Sequence, residues 1–187
     1  PLLEDSLRQN KVLVDIAPFK GSSLLIIGCK DYPGLLEVIA GSCYYEGANI
    51  KQSHAFSGSG LGIAFDFFDI ECPQERKNNL KLTLRKSIAE RRFLEGDPDV
   101  IFRLLNYRAA ISPLRKPEEY CLDFEGSRDT PGLLYALTNV LHRRMDAYIH
   151  SFSVNTHKDV RVFNTFTFSS KKPREELVYI VKNCLNR

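Results

Sequence analysis

Asp31-Tyr32-Pro33-Gly34-Leu35-Leu36 returns 98 residues further on as Asp129-Thr130-Pro131-Gly132-Leu133-Leu134, identical at five of six positions. Self-similarity at that spacing in a chain of 187 residues makes the chain a tandem of one small module. Before the first copy, Ser22 to Cys29 is a short apolar run that reads as a buried strand. After it, Leu35, Leu36, Ile39, Cys43 and Tyr44 recur at helical spacing until Gly47 ends the pattern. The hexapeptide therefore spans a strand-to-helix turn. Pro33 and Pro131 fit a first helical turn, and Gly34 and Gly132 let a ligand or a neighbouring backbone come close.

Working outward, Asn49 to Phe56 alternates as a second strand and Ser57-Gly58-Ser59-Gly60 reads as a hairpin turn. Leu61 to Ile70 is a third strand with Ile63, Phe65 and Phe67 on one face, and Pro73 opens a helix carrying Leu80, Leu84 and Ile88. The second half repeats the order. It has a strand at Tyr120 to Glu125, a helix from Pro131 to about Arg144, a strand at Ala147 to Asn155 and a turn at Thr156 to Asp159. A strand from Val160 to Phe168 and a helix with Leu177, Ile180, Val181 and Cys184 complete it. Carried without gaps, the 98-residue offset places Phe65 on Phe163 and Asp66 on Asn164.

Each half thus reads β-α-β-β-α, which predicts an α+β protein of two ferredoxin-like modules, each an antiparallel sheet with two helices on one face. The expected division is residues 1–94, a linker at 95–117 marked by Gly96, Pro98, Pro113 and Pro117, and residues 118–187. A ferredoxin-like sheet needs a fourth strand. The apolar stretches Lys11 to Ile16 and Tyr107 to Ile111 lie upstream of each module, and these or an exchanged strand are expected to fill that edge.

A helix N-terminus leaves N–H groups unpaired and suits a carboxylate, while Asp31 or Asp129 just upstream suits an ammonium. Together they complement a zwitterion such as a free amino acid. The candidate ligand residues are Asp31, Tyr32, Pro33, Gly34 and Leu35, and in the second copy Asp129, Thr130, Pro131, Gly132 and Leu133. Asn49, Ile50 and Gln52 at the start of the second strand, with Tyr148 and His150 as counterparts, are candidates to complete a site. The plainer alternative makes each Asp an N-cap and each Pro-Gly a turn.

A net charge of +3 implies no polyanion partner, and no apolar run approaches a membrane span of about 20 residues. Five cysteines without CxxC or metal-ligand spacing predict reduced thiols in a cytoplasmic protein, with no metal and no cofactor. The four histidines have no triad or metal spacing and no Gly-rich phosphate loop is present, so no catalysis is expected within this chain. Pro1 in place of Met predicts a fragment or a processed chain.

The strand, Asp-x-Pro-Gly-Leu-Leu, the helix and then Gly47-Ala48-Asn49-Ile50 resemble the ACT domain, a ferredoxin-like module that binds amino acids and regulates enzymes. The tandem resembles the C-terminal regulatory pair of bifunctional PII uridylyltransferase/uridylyl-removing enzymes. Ile39-Ala40-Gly41, Pro131 to Thr138 and the basic helix from Arg85 to Arg92 carry that closer likeness. The resemblance implies a free amino acid as ligand, glutamine first, and as protein partner a second copy or the catalytic domains of a parent enzyme. Met145-Asp146-Ala147-Tyr148 stands at the offset of Gly47 to Ile50, so the second copy is expected to lack the Asn and to serve mainly as scaffold. Two other readings compete. One is a purely structural dimerisation module, since cores this small favour association. The other is an RNA-binding module, with aromatics on the strand Gly62 to Phe67 and seven Lys/Arg against two Asp/Glu over residues 75–92. Asp66 would repel phosphate there, and nucleic acid is not the expected partner.

Overall fold

Eight strands form one antiparallel sheet in a computed structural model that describes residues 11–58, 62–95, 99–103, 106–157 and 161–185. The first half contributes β1 (Leu13–Phe19), β2 (Ser22–Lys30), α1 (Leu35–Tyr45), β3 (Asn49–Gly58), β4 (Ile63–Glu71) and α2 (Lys77–Glu90). A one-turn helix α3 (Asp99–Phe102) follows. The second half contributes β5 (Tyr107–Pro113), β6 (Glu119–Gly126), α4 (Leu133–Asn139), β7 (Tyr148–His157), β8 (Arg161–Ser169) and α5 (Arg174–Cys184). The strand order is β1-β2-β4-β3-β7-β8-β6-β5, so each half repeats one four-stranded pattern and the two β3-type strands meet at the centre. The upstream strands β1 and β5 take the edge positions beside β2 and β6, and β5 lies inside the stretch that sequence alone marks as a linker.

Period-two alternation decides which face is buried. Leu25, Ile27 and Cys29 of β2, Phe68 and Ile70 of β4, and Leu122, Phe124, Phe166 and Phe168 of β6 and β8 all face inward under the helices. Ile63, Phe65 and Phe67 share a face, as expected, and it is the outward, half-exposed one. The two halves share one core. Phe152 of β7 stacks on Phe68 of β4 with ring centroids 6.0 Å apart, and on Phe166 of β8 at 6.4 Å. The β3–β7 junction is short: Gln52 pairs with Asn155, Ser53 with Val154 and His54 with Ser153. Its centre is reinforced by the Val154 amide donating to the buried Ser53 Oγ at 3.1 Å.

The gapless offset fails in one place. Ser53 pairs with Phe68, whereas Phe152 pairs with Phe166, so β3 and β7 correspond at 99 residues rather than 98. The cause lies just upstream. The helix after the second hexapeptide continues past Asn139 as a π-turn from Val140 to Arg144, a geometry that accommodates one extra residue. Asp146 then takes the positive φ (51°) that Gly47 has (73°) in the first half, and buried Ala147 matches buried Ala48. The counterpart of Gly47-Ala48-Asn49-Ile50 is therefore Asp146-Ala147-Tyr148-Ile149. Tyr148 is the structural equivalent of Asn49, and His150 that of Lys51 rather than of Gln52.

Gly34 and Gly132 hold φ of 87° and 85° at the first turn of α1 and α4. Each is covered by rings. A Cβ on Gly34 would lie 2.6 Å from His142 and 2.8 Å from Phe93, and one on Gly132 would lie 2.7 Å from Tyr44. Left-handed backbone costs an L-residue about 1–2 kcal/mol, and displacing packed rings adds about as much again. Gly34→Ala and Gly132→Ala are each expected to lower unfolding stability by about 2–4 kcal/mol, read from the midpoint shift in urea at unchanged m-value.

Candidate functional site

Neither hexapeptide aspartate caps its helix: no side-chain cap bond forms at α1 or α4. Each reaches across to the other half instead. Tyr148 Oη, at the start of β7, donates to Asp31 Oδ2 at 2.6 Å. At the start of β3, Asn49 Nδ2 and Lys51 Nζ donate to Asp129 Oδ2 at 2.7 and 2.9 Å. Because Tyr148 and Asn49 are equivalent positions, the two contacts are related by the same approximate two-fold as the sheet. The structure thus brings Asn49 to Asp129, not to Asp31. Gln52 is exposed on β3 and pairs through its backbone with Asp69 and Asn155.

Each loop closes a cavity against the opposite half. The first lies among Asp31, Gly34, Glu37, Asp66, Tyr148 and His150 and measures about 40 Å³. The second lies among Asn49, Ile50, Asp129, Gly132, Tyr135 and Asn164 and measures about 20 Å³. Tyr32, Leu35, Thr130 and Leu133 line these same cavities, whereas Pro33 and Pro131 shape the turns from outside. Spaces of this size hold one to a few waters.

The helix pair between the cavities is not symmetric. Glu37 on α1 is almost fully buried and accepts from Asn139 Nδ2 at 2.8 Å, His142 Nδ1 at 2.7 Å and Arg143 Nε at 2.7 Å. This cross-link ties α1 to the end of the helix from the second half. At the other end of the pair, Tyr44 stacks on Tyr135 with centroids 5.9 Å apart. His142 and Tyr44 each cover the glycine of the opposite loop.

Sequence reasoning left out the residues at the floor of the two cavities. Asp66 on β4 and Asn164 on β8 are equivalent, point inward and are only 6% and 2% exposed. Burial, and next the neighbouring Asp31, push the Asp66 carboxyl up to about 7. Among the described residues Asn164 Oδ1 is buried without a hydrogen-bond partner. The available signal was a charged residue at an inward position of a strand otherwise apolar on that face. The hydrogen bond to Asp31 and, less, burial raise the Tyr148 hydroxyl to about 12, so it donates throughout the neutral range. All five cysteines are free, and buried Cys29 is raised to about 12, chiefly by loss of solvent. Among the described residues no group of His, Cys, Asp or Glu could hold a metal ion, and no helix is long and apolar enough to cross a membrane.

Fold and site together define an α+β protein with a duplicated unit and two related cavities, each built from both halves. Its sequence is similar to the bifunctional uridylyltransferase/uridylyl-removing enzymes of Bradyrhizobium sp. (strain ORS 278) and Bradyrhizobium sp. (strain BTAi1 / ATCC BAA-1182). Each is 27% identical over 154 residues, which covers 75% of this chain. The likeness is distant, and the chain spans only 16% of the length of these curated relatives. No protein-family model matches the chain.

Two stability measurements check the electrostatics. The folded-state value of Asp66 lies above its unfolded 3.8, so the stability tied to its proton is complete below about pH 4 and is lost as pH rises to about 7. Asp66→Asn is therefore expected to be more stable than wild type at pH 8, by up to about 4 kcal/mol at about 1.4 kcal/mol per unit, with no advantage at pH 4. Glu37→Leu leaves Asn139, His142 and Arg143 without their acceptor and is expected to cost about 3–5 kcal/mol in chemical denaturation.

Proposed function

We propose that this chain is a regulatory tandem of two ferredoxin-like ACT modules, the second of which includes the edge strand β5, and that it binds a free amino acid. Glutamine is the first candidate. In this reading the chain controls a uridylyltransferase/uridylyl-removing enzyme, as part of a longer polypeptide or as a stand-alone relative, and itself carries no catalysis. The strand order supports the fold assignment. In each half the strand before the hexapeptide is central, and the edge that a βαββαβ unit fills from its C-terminus is filled here from upstream. The distant likeness to the two Bradyrhizobium enzymes supports the regulatory assignment.

The observation that carries the proposal is that each hexapeptide aspartate meets the opening residues of the opposite half's central strand. A zwitterion held at the loop contacts both halves at once. Its binding energy is then coupled to how the halves sit, which is what a sensor requires. The hydroxyl of Tyr148 orients Asp31, and the first turn of α1 lines the same cavity through Leu35, Leu36 and Glu37.

A structural reading is favoured by one observation: both aspartates already have partners inside the chain and both cavities are small. Isothermal titration of the full chain with the twenty amino acids separates the two. The sensor reading expects at least one to bind with a micromolar-to-millimolar Kd, weakened at least tenfold by Asp31→Ala. No heat and no melting shift at millimolar ligand leaves the structural reading.

A further inference from the structure

We propose that Asp66 is the group that receives the ligand's α-ammonium, and that Asn164 in its place makes the second cavity a site for water or a neutral donor. The chain then has one amino-acid site, not two. This rests on the amino-acid reading above and adds which cavity is used and which atom selects the ligand.

The case begins with the cost of the residue. Asp66 sits on β4 facing the helices, opposite Ile27 and beside Phe68, and is 6% exposed. A carboxylate in such a place is expensive unless it is paired or coordinated. The charged and titratable groups facing its cavity are Asp31 and Tyr32 from the loop, Glu37 from α1, His142 from the π-turn, and Tyr148 and His150 from β7, with Cys29 on β2. Glu37 is committed to Asn139, His142 and Arg143, and Asp31 to Tyr148. Of the two imidazoles on this cavity, His142 is therefore held by Glu37, and His150 lies on the β7 wall. Both influences on its carboxyl, burial and Asp31, oppose ionisation. A ligand ammonium between Asp66 and Asp31 would screen the two carboxylates from each other and offset the cost of burial.

The second cavity is the internal control. There the same strand position carries a neutral amide, whose buried Oδ1 lacks a partner, and the space is about half as large. A carboxamide oxygen needs one hydrogen-bond donor, and a water supplies it. Its loop aspartate, Asp129, already faces a cation, Lys51 at 2.9 Å. In the first cavity the position equivalent to Lys51 carries His150, so no fixed cation stands there as Lys51 does in the second.

The experiment takes the tightest-binding amino acid of the titration panel and the same molecule without its α-ammonium; for L-glutamine this is 4-carbamoylbutanoate. Both are titrated into wild type, Asp66→Asn and Asn164→Ala at pH 7.5. Expected are a stoichiometry of one and at least tenfold preference for the ammonium form in wild type. Asp66→Asn should lose at least tenfold in amino-acid affinity and lose that preference, while Asn164→Ala keeps both. Asn at position 66 reproduces the pattern that the second half folds with, and the melting curve of the variant verifies its fold. A second readout is pH: wild-type affinity should rise about tenfold per unit up to about pH 7 and then level, because binding must displace the Asp66 proton, and it should be flat in Asp66→Asn. Amino-acid binding that survives Asp66→Asn with its preference intact overturns the inference and leaves the sensor reading standing. Absence of binding by every amino acid to wild type removes both.

Discussion

Three residue pairs between β3 and β7 decide what the rest of the molecule can do. Two four-stranded halves, each with a small core, meet edge to edge through Gln52, Ser53 and His54 against Asn155, Val154 and Ser153. Joining the central edges covers part of each β3-type strand and lets Phe152 bridge Phe68 and Phe166, so two marginal cores become one. The same pairing sets the start of each β3-type strand beside the other half's hexapeptide loop. The cavities exist only because the sheet is continuous.

Duplication explains the symmetry, and the departures from symmetry are local and physical. One extra residue is absorbed in the π-turn from Val140 to Arg144, so β7 keeps its register without a gap in the sheet. Glu37 and its three partners stand at one end of the α1–α4 contact, and the stacked Tyr44 and Tyr135 at the other. Asp66 faces Asn164 across the two-fold. Nearly identical loops therefore sit over unlike floors. The hexapeptide reports common ancestry of the halves, whereas their difference in chemistry lies in residues outside it.

The aspartates show how a local rule gives way to tertiary structure. Asp before a helix is an N-cap candidate on local grounds. Here Asp31 and Asp129 are turned away from their own helices toward Tyr148 and Asn49, which lie 117 and 80 residues away in sequence. A charge-assisted hydrogen bond at the junction of two halves competes well with a cap, and the one to Asp129 is partly shielded from solvent as well.

The sequence by itself determined the duplication, the order of strands and helices and the residues that form the loops, and it left the edge position to the upstream apolar stretches or an exchanged strand. Those follow from periodicity and turn chemistry, which act over a few residues. Tertiary structure alone decided that Asn49 belongs with Asp129, that Asp146 stands in for Gly47, and that Asp66 and Asn164 form the floors of the cavities. The second of these depends on the one-residue π-turn, and the others on register across the sheet. A shift of one residue exchanges the two faces of a strand, and no local pattern reveals which half a side chain will meet.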